Sequence, residues 1–239
     1  MEKRTIITGA SGEIGMAIAN QLANQGHTLL LHYNRNKIAL DQLLEQIPAD
    51  QIIDVVQADL ATNDGLTQFI KQVPQDLDHL IYTSGKAYFG LFQEMDEHDM
   101  DEMLQLHVKS PWKITQALIP NMVREKFGRI ILISSIWGEI GASCEVAYST
   151  VKGAQNAFIR ALAKELGPSN VYVNGVSPGF IDTKMNQALS AEEKQELIQD
   201  IPLQRAGKPE DVADAVQFLC SNQSKYIQGE LIRVNGAWG

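Results

Sequence analysis

The chain has 239 residues, of which 44% are hydrophobic and 21% charged, a composition that indicates a folded globular protein and excludes a disordered or fibrous one. Its formal net charge of −9 disfavours nucleic acid and anionic membranes as partners, because both carry negative charge. Two cysteines are too few for a disulfide framework, and no apolar run approaches the ~20 residues of a membrane span, so we expect a cytoplasmic protein.

Short β-branched or leucine-rich runs alternate with longer segments of helical periodicity, which is typical of parallel strands joined by crossover helices. We therefore predict a single α/β domain over residues 1–239, with a doubly wound parallel sheet of seven strands and helices on both faces. The predicted strands are 3–8, 28–33, 51–57, 79–83, 129–135, 171–176 and 230–234. The predicted helices include 14–25, 96–107, 112–126, 148–166 and 209–220.

A polar, helix-like stretch at 190–199 departs from the apolar alternation. It predicts either a solvated surface helix or, together with the flanking residues of 184–200, a mobile lid over a site.

A glycine-rich loop follows the first predicted strand and opens the first predicted helix. Gly9, Gly12 and Gly15 lie in this loop, where the backbone can approach a pyrophosphate held at a helix N-terminus. Their spacing is not the usual G-x-G-x-x-G, so a tight strand-to-helix connection remains the alternative interpretation.

A Tyr-x-x-x-Lys pair on a helix places both side chains on one face, where the ammonium can lower the tyrosine pKa and make it a proton donor. The pattern occurs three times, beginning at Tyr33, Tyr82 and Tyr148. Only Tyr148, paired with Lys152, begins a predicted helix; the other two fall at strand ends, where this spacing separates the side chains. Ser135 ends the fifth predicted strand, at the edge of the sheet where ligands bind.

In this order the motifs resemble those of the short-chain dehydrogenase/reductase superfamily, from Lys3 to the C-terminus. The T-G-x-x-x-G-x-G loop of that family corresponds to residues 8–15, and its serine, thirteen residues before the tyrosine, corresponds to Ser135. Asp59 matches the acidic residue after the third strand, and Pro178-Gly179 the proline-glycine motif. The resemblance implies a Rossmann-like fold and a nicotinamide-dependent oxidoreductase.

The resemblance also implies roles for individual residues. Ser135 would hydrogen-bond the substrate carbonyl, Tyr148 would protonate the alkoxide, and Lys152 would hold the cofactor ribose and lower the tyrosine pKa. His107 takes the place of the fourth catalytic residue, an asparagine, and its backbone carbonyl would order a water beside the lysine. The implied cofactor-binding residues are Gly9, Ser11, Gly12, Glu13, Ile14, Gly15, Tyr33, Asn34, Arg35, Asp59, Leu60, Ser84, Gly85, Tyr148, Lys152, Pro178, Gly179, Ile181 and Thr183.

Two further positions depart from the family pattern. Glu13 replaces the middle glycine of the loop, and its carboxylate is expected to repel a nearby pyrophosphate and weaken cofactor binding. The Asn-Asn-Ala-Gly segment of the family reads Tyr82-Thr83-Ser84-Gly85, which changes a structural support and leaves the chemistry intact.

Cofactor choice is predicted from charge at the end of the second strand. Where relatives that prefer NAD often carry an aspartate, this chain has Tyr33, followed by Asn34 and Arg35. A guanidinium in place of an acid tolerates a 2′-phosphate, so we predict NADPH over NADH. The five histidines lack ligand spacing, and no metal site is predicted.

Two substrates remain open. The whole chain looks most like the 3-oxoacyl-acyl-carrier-protein reductase branch, whose partner would be an acyl carrier protein. Arg124, Lys126 and Arg129 form a small basic group that either meets this acidic partner or belongs to a solvated helix end, and the second interpretation is favoured because Glu125 interrupts the group. The stretch 135–148 looks similar to reductases of the 5-aminopentanone group on elongation factor P. Glu139 and Glu145 favour this second reading, because an ammonium-bearing substrate attracts acidic residues.

A protein that keeps the dinucleotide fold to sense the cofactor without chemistry is a third possibility, although Ser135, Tyr148 and Lys152 all stand at family spacing. The resemblance further implies a homotetramer or homodimer assembled through the helices predicted at 112–126 and 148–166.

Overall fold

The computed structural model describes residues 3–186 and 190–239. Residues 187–189, which belong to the segment considered as a lid, lie outside the described residues. The strands are β1 (Lys3–Thr8), β2 (His27–Tyr33), β3 (Ile52–Gln57), β4 (His79–Tyr82), β5 (Gly128–Ile133), β6 (Val171–Pro178) and β7 (Leu231–Val234). The helices are α1 (Glu13–Asn24), α2 (Lys37–Leu44), α3 (Asn63–Gln72), α4 (Glu97–Leu104), α5 (Ser110–Glu125), α6 (Trp137–Ile140), α7 (Val146–Leu166), α8 (Ala191–Asp200) and α9 (Pro209–Cys220).

All seven strands form one parallel sheet in the order β3-β2-β1-β4-β5-β6-β7. The chain starts in the middle of this sheet, builds outward to β3, and then crosses back to place β4 beside β1. The register pairs Thr8 with Tyr82, so β1 and β4 end at the same level and open a crevice where the strand order reverses. The predicted Rossmann-like, doubly wound sheet is confirmed.

The sheet has apolar side chains on both faces, as buried parallel strands require. On one face, Ile6, Leu30 and Leu80 pack with residues of α3, α5 and α7. On the other face, Ile7 and Leu31 pack with residues of α1, α2 and α9. The helices therefore cover both sides, and only the loops at the strand ends are free to build a site.

Several boundaries differ from the predicted ones. The segment predicted as one helix at 96–107 ends its α-helical part at Leu104, and Gln105–Lys109 forms a π-helical turn before α5. The fifth strand ends at Ile133, although the Ser134 amide still donates to the Val176 carbonyl of β6 at 2.8 Å, and Ser135 lies in the loop that follows. Helices α2, α3 and α6 were not predicted; each is short, and few of its apolar residues reach the core.

The polar stretch predicted at 190–199 is helical. Helix α8 begins after Ser190, whose hydroxyl accepts from the Glu193 amide while the Glu193 carboxylate accepts from the Ser190 amide. Within the described part of the chain, no helix is long and apolar enough to cross a bilayer. The same residues contain no cluster of three or more His, Cys, Asp or Glu side chains arranged to hold a metal ion.

Candidate active site

The predicted site residues converge at the carboxyl edge of the sheet. Gly9 follows β1, Asp59 follows β3, Ser84 follows β4, Ser135 follows β5 and Gly179 follows β6. Because every strand is parallel, these loops share one edge of the sheet. The loops after β1 and β4 flank the crevice, and the loop after β5 lies next to them. The structure therefore gathers residues that are distant in sequence.

Helix α7 presents the candidate catalytic pair. Tyr148 is its third residue, and Lys152 follows one turn later on the same face, with Nζ 5.5 Å from the centre of the tyrosine ring. The Ser135 hydroxyl hydrogen-bonds the Tyr148 hydroxyl and accepts the Trp137 amide at 3.2 Å. The serine and the tyrosine are thus positioned together.

Close packing of α6 against α7 holds this arrangement. A Cβ atom at Gly138 would lie 2.7 Å from the carbonyl carbon of Lys152, so only glycine allows the approach. Asn156 then ties the two segments, since its amide donates to the Gly138 carbonyl at 3.0 Å and accepts from Ser134 at 2.5 Å. Asn156 was not predicted from the sequence, because its partners lie far from it along the chain.

Burial dominates the protonation of the pair. It raises the pKa of Tyr148 well above that of a free tyrosine, and nearby Glu145 raises it further, while the Ser135 hydrogen bond opposes both. The expected lowering of the tyrosine pKa by Lys152 is not found in this structure, because Nζ turns instead to the Ile133 carbonyl at 2.8 Å. Burial lowers the pKa of Lys152 to about 7. Near neutral pH, Tyr148 is a protonated acid.

His107 lies beside this pair, at full burial within the π-helical turn. Its ring stands edge-on to the Tyr148 ring with centroids 5.7 Å apart, and its Nε2 atom lies 2.9 Å from the Lys86 carbonyl. Burial, followed by the charge of Lys152, holds the histidine pKa well below its usual value, so the ring is neutral. Its backbone carbonyl, expected to order a water, accepts instead from the Gln155 side chain at 2.8 Å.

The glycine loop has the shape that close backbone approach requires. Gly9 has φ +70°, and a Cβ atom there would lie 2.8 Å from the Thr83 hydroxyl; at Gly15 it would lie 2.3 Å from the Gly9 carbonyl oxygen. Thr83, which stands within the altered Asn-Asn-Ala-Gly segment, donates to the Thr8 carbonyl at 2.5 Å. Thr83 therefore provides the structural support that the altered segment was expected to change.

His32 of β2 stabilises the same loop through hydrogen bonds, a role that was not predicted from the sequence. Its Nδ1 atom accepts the Gly9 amide at 3.1 Å, which leaves Nε2 to donate to the Ala58 carbonyl at 3.0 Å. Burial lowers the pKa of this histidine to about 4, so it stays in the neutral form that the two hydrogen bonds need. The loop after β1 and the turn after β3 are thus linked.

The residues present fit a bound dinucleotide. The Ser84 hydroxyl is buried next to Gly9 and has no hydrogen-bond partner within residues 3–186 and 190–239. A polar ligand in the crevice would supply this partner. At the far end of the crevice, Tyr33 is buried, Asn34 is partly exposed, and Arg35 is exposed just after β2. These three residues and Asp59 are the ones predicted to hold the ribose and adenine.

The remaining predicted cofactor residues vary in exposure. Ser11 and Thr183 are partly exposed, while the Leu60 and Ile181 side chains are buried in the two cores, so only the backbone of these two would be available to a ligand. Ile14 packs against the core under α1. Gly12 caps α1, Gly85 adjoins the His107 ring, Pro178 ends β6, and Gly179 packs against Asn235.

Glu13 reaches across the crevice from the start of α1. Its carboxylate accepts the backbone amide of Lys184 at 2.5 Å and so bridges the glycine loop and the segment that follows the proline-glycine motif. The carboxylate nevertheless stands at the start of α1, beside the glycine loop that is predicted to approach a pyrophosphate. A glutamine would keep the acceptor and remove the charge.

Replacing Glu13 with glutamine is expected to tighten NADPH binding by about threefold to tenfold. The change removes the repulsion between the carboxylate and the pyrophosphate, which solvent screens only in part. Fluorescence titration of the dinucleotide measures this dissociation constant. Glu165→Gln, at the opposite end of α7, removes the same charge far from the crevice and is the matched control. Unchanged or weaker binding by Glu13→Gln, relative to that control, would contradict the repulsion.

The acidic residues near the catalytic pair differ in their surroundings. Glu139 binds Arg233 at 2.7 Å and accepts from Ser177 at 2.7 Å, and these contacts lower its pKa against burial, so its charge is neutralised. Glu145 is partly buried before α7, and burial raises its pKa while a hydrogen bond from Trp137 lowers it. Of the two acids suggested for an ammonium, only Glu145 is left without a cation.

The basic group suggested for an acyl carrier protein does not form one surface. Arg129 is buried, with its guanidinium bound to the Leu219 carbonyl at 2.8 Å and the Ser224 hydroxyl at 3.0 Å. Arg124 contacts Glu125 at 2.9 Å. Only Arg124 and Lys126 are exposed, so the predicted group of three was wrong.

Comparison with known proteins places the chain in a family. Residues 9–238 match the family described as enoyl-(acyl carrier protein) reductase. The uncharacterized oxidoreductase YmfI of Bacillus subtilis (strain 168) is 45% identical over 240 residues, which cover 100% of this chain and 99% of that protein. The 3-oxoacyl-(acyl-carrier-protein) reductase FabG of Aquifex aeolicus (strain VF5) is 36% identical, over 98% of this chain and 96% of that protein.

Two solved structures share the fold along nearly the whole chain. YwfH, an NADPH-dependent reductase involved in bacilysin biosynthesis, superposes with a TM-score of 0.88 at 25% identity, over 99% of this chain and 98% of that one. The angucycline C-6 ketoreductase LanV with bound NADP gives a TM-score of 0.89 at 27% identity, over 98% and 94%.

The chain therefore belongs to the short-chain dehydrogenase/reductase superfamily, as its motifs predicted. It is an oxidoreductase that uses a nicotinamide dinucleotide as cofactor.

Proposed function

We propose that this enzyme reduces a ketone to a secondary alcohol with NADPH, and that its substrate is a 3-oxoacyl thioester. The observation that carries the proposal is the juxtaposition of Ser135, protonated Tyr148 and Lys152 at the carboxyl edge of the sheet. The named reductases that are 34–36% identical over nearly the whole chain support the thioester. A single domain would then carry both the cofactor and the catalytic residues.

The side chains of the chain divide the work of the reaction. When bound, the cofactor supplies a hydride to the carbonyl carbon. Ser135 donates a hydrogen bond to the carbonyl oxygen and orients it, and Tyr148 gives its phenolic proton to the oxygen as negative charge develops there. Lys152, as an ammonium, stabilises the tyrosine oxygen once its proton has gone.

The protonated state of Tyr148 at neutral pH fits the reduction direction. A phenol that remains protonated at neutral pH serves as an acid, whereas alcohol oxidation would need the phenolate as a base.

Exposed Arg35, after a strand that ends in a tyrosine rather than an acid, supports NADPH as the cofactor over NADH. The two similar solved structures agree with this choice, since one is described as NADPH-dependent and the other holds NADP. Arg35 and Asn34 would face the 2′-phosphate.

An amino ketone, such as the 5-aminopentanone group on elongation factor P, is the second candidate substrate. Glu145 favours it, because this carboxylate is partly buried three residues before Tyr148 and close enough to raise the tyrosine pKa. A carboxylate with no cation nearby attracts an ammonium on the substrate and repels an acyl thioester little.

Assembly as a homodimer or homotetramer is part of the proposal. Trp112, near the start of α5, is 46% exposed, which leaves a large apolar side chain available to a partner. Trp112 also contacts Phe158 of α7, with ring centroids 5.9 Å apart. The helices expected to form the interface thus share an apolar surface.

The function is tested by following the loss of NADPH absorbance, with NADH in parallel, when an acetoacetyl thioester or an amino ketone is added. We expect turnover of the thioester with NADPH and little with NADH. Glu145→Gln serves as an internal comparison, since it should lower kcat/KM about tenfold for the amino ketone alone. Turnover of the amino ketone only would move the assignment to the second candidate, and cofactor binding without turnover of any ketone would indicate a dinucleotide-sensing protein.

A further inference from the structure

A buried glutamine connects the candidate catalytic lysine with the turn that carries His107. Gln155 is 1% exposed and lies one turn after Lys152 on α7. Its Oε1 atom accepts from Lys152 Nζ at 3.3 Å, and its Nε2 atom donates to the His107 carbonyl at 2.8 Å. The amide therefore spans the gap between the two.

The orientation of this amide is determined by its two partners. The lysine ammonium only donates and a backbone carbonyl only accepts, so the amide oxygen must face Lys152 and the amide nitrogen must face His107. Exchanging them would bring two donors together at one end and two acceptors at the other. Both polar atoms of the Gln155 side chain are thus hydrogen-bonded.

The His107 carbonyl is available to Gln155 because of the local sequence. In an α-helix this carbonyl would accept the amide of residue 111, but residue 111 is proline, which has no N–H. The π-helical turn Gln105–Lys109 lies at this point, between α4 and α5. The free carbonyl and the buried amide satisfy each other.

We propose that Gln155 is a positioning residue that holds Lys152 in its charged form and in reach of Tyr148. This inference rests on the proposed ketone reduction. Lys152 has three N–H donors, of which the Ile133 carbonyl and Gln155 Oε1 take two, leaving one for the tyrosine or a cofactor hydroxyl. The His107 carbonyl is bonded to the Gln155 side-chain amide, and this amide does not exchange protons readily.

The surroundings of the lysine make Gln155 important for its charge. Tyr148 on the same helix and His107 from the π-helical turn are the titratable groups that face it, and β5 contributes only the Ile133 carbonyl. Burial already brings the lysine pKa down to about 7, and neither neighbour carries a negative charge at neutral pH. The ammonium is therefore stabilised by two neutral oxygens, one of which belongs to Gln155.

Gln155→Leu and Gln155→Glu are expected to change the pH dependence in opposite directions. The basic limb of the kcat/KM profile reports loss of the ammonium, so it should move down by about one pH unit in Gln155→Leu and up by one or more in Gln155→Glu. The dissociation constant of NADPH against pH, measured by fluorescence, should show the same two shifts without any ketone present. Gln105→Leu removes another buried glutamine, bonded to Ser110 and not to Lys152, and is the matched control.

Each result decides the matter. Opposite shifts of the two Gln155 variants, with a wild-type inflection in Gln105→Leu, support the proposal. An unchanged inflection, or shifts in the same direction, would overturn it and leave Gln155 a packing residue. If Gln155→Leu does not fold, the isosteric Gln155→Glu decides alone by an upward shift or none. Failure of wild type to reduce any ketone contradicts the proposed function instead, and the NADPH titration still tests Gln155.

Discussion

Replacing Tyr148 by phenylalanine is expected to lower kcat for ketone reduction by about 10²- to 10⁴-fold, which is the usual contribution of a positioned general acid. The ring remains, so the edge-on contact with His107 and the packing of α7 are retained. Only the hydroxyl that bonds Ser135 is lost. The expected result is a folded protein that binds NADPH within about twofold of wild type and turns over very slowly.

The measurement is steady-state NADPH oxidation, with the dissociation constant of NADPH determined on the same preparation. Tyr172→Phe is the matched control, because that hydroxyl bonds Asn170 at 2.8 Å at the opposite edge of the sheet and its loss should leave kcat unchanged. Activity of Tyr148→Phe within threefold of wild type would remove the tyrosine from the catalytic role.

Stability is expected to fall steeply when the pH drops below about 6.5, because four histidines are buried in the neutral form. Burial lowers the pKa of His27 and of His32 to about 4, and it brings those of His79 and His107 well below their usual value. In the unfolded chain these histidines bind protons below about pH 6.5, whereas in the folded chain His27 and His32 bind them only near pH 4. Protonation therefore favours unfolding between these two pH values. At pH 5, His27 and His32 should each reduce the free energy of unfolding by about 2 kcal/mol, and His79 and His107 act in the same direction.

Two of these histidines form a cluster at the amino edge of the sheet. The Thr5 hydroxyl lies 2.8 Å from His27 Nδ1 and 3.2 Å from His79 Nδ1, and the rings stack with centroids 5.2 Å apart. Arg129 adds positive charge that opposes protonation of His79. A proton here would bring like charges together among buried side chains.

Urea unfolding between pH 7.5 and pH 5, at one protein concentration, measures this dependence. His79→Leu should make the slope of the free energy of unfolding against pH smaller by about one proton, whereas His98→Gln, at an exposed position, should leave it unchanged. A free energy at pH 5 that stays within about 1 kcal/mol of the value at pH 7.5 would show that the buried histidines do not govern acid stability.

The seven strands were predictable because each is a short, continuous apolar run bounded by a polar or glycine-rich turn. Their boundaries were less so. Ser134 and Ser135 read as the end of a strand, yet β5 ends at Ile133, and the Ser134 hydroxyl bonds Asn156 of α7, a partner that the local sequence does not indicate. The helix predicted at 96–107 is interrupted by a π-helical turn, which helical periodicity alone does not distinguish from a continuous helix.

The candidate catalytic residues were also predictable, since fixed spacing between Ser135, Tyr148 and Lys152 is a local property of the chain. Their partners were not. His32 under the glycine loop, Asn156 beside α6 and Gln155 beside Lys152 carry no signal that marks them, because each acts on a residue from another element. A buried polar residue in an otherwise apolar helix face was the one available hint for the last two.

The sequence by itself determined the order of strands and helices, the glycine loop and the Tyr-x-x-x-Lys pair, because periodicity and spacing are properties of neighbouring residues. Only the tertiary structure decided that the Glu13 carboxylate meets the Lys184 amide, 171 positions away, and that Arg129 is buried rather than free for a partner. It likewise decided the protonation of Tyr148 and Lys152. Those outcomes depend on which distant groups exclude water from a side chain and which supply its hydrogen bonds, and that information exists only once the chain has folded.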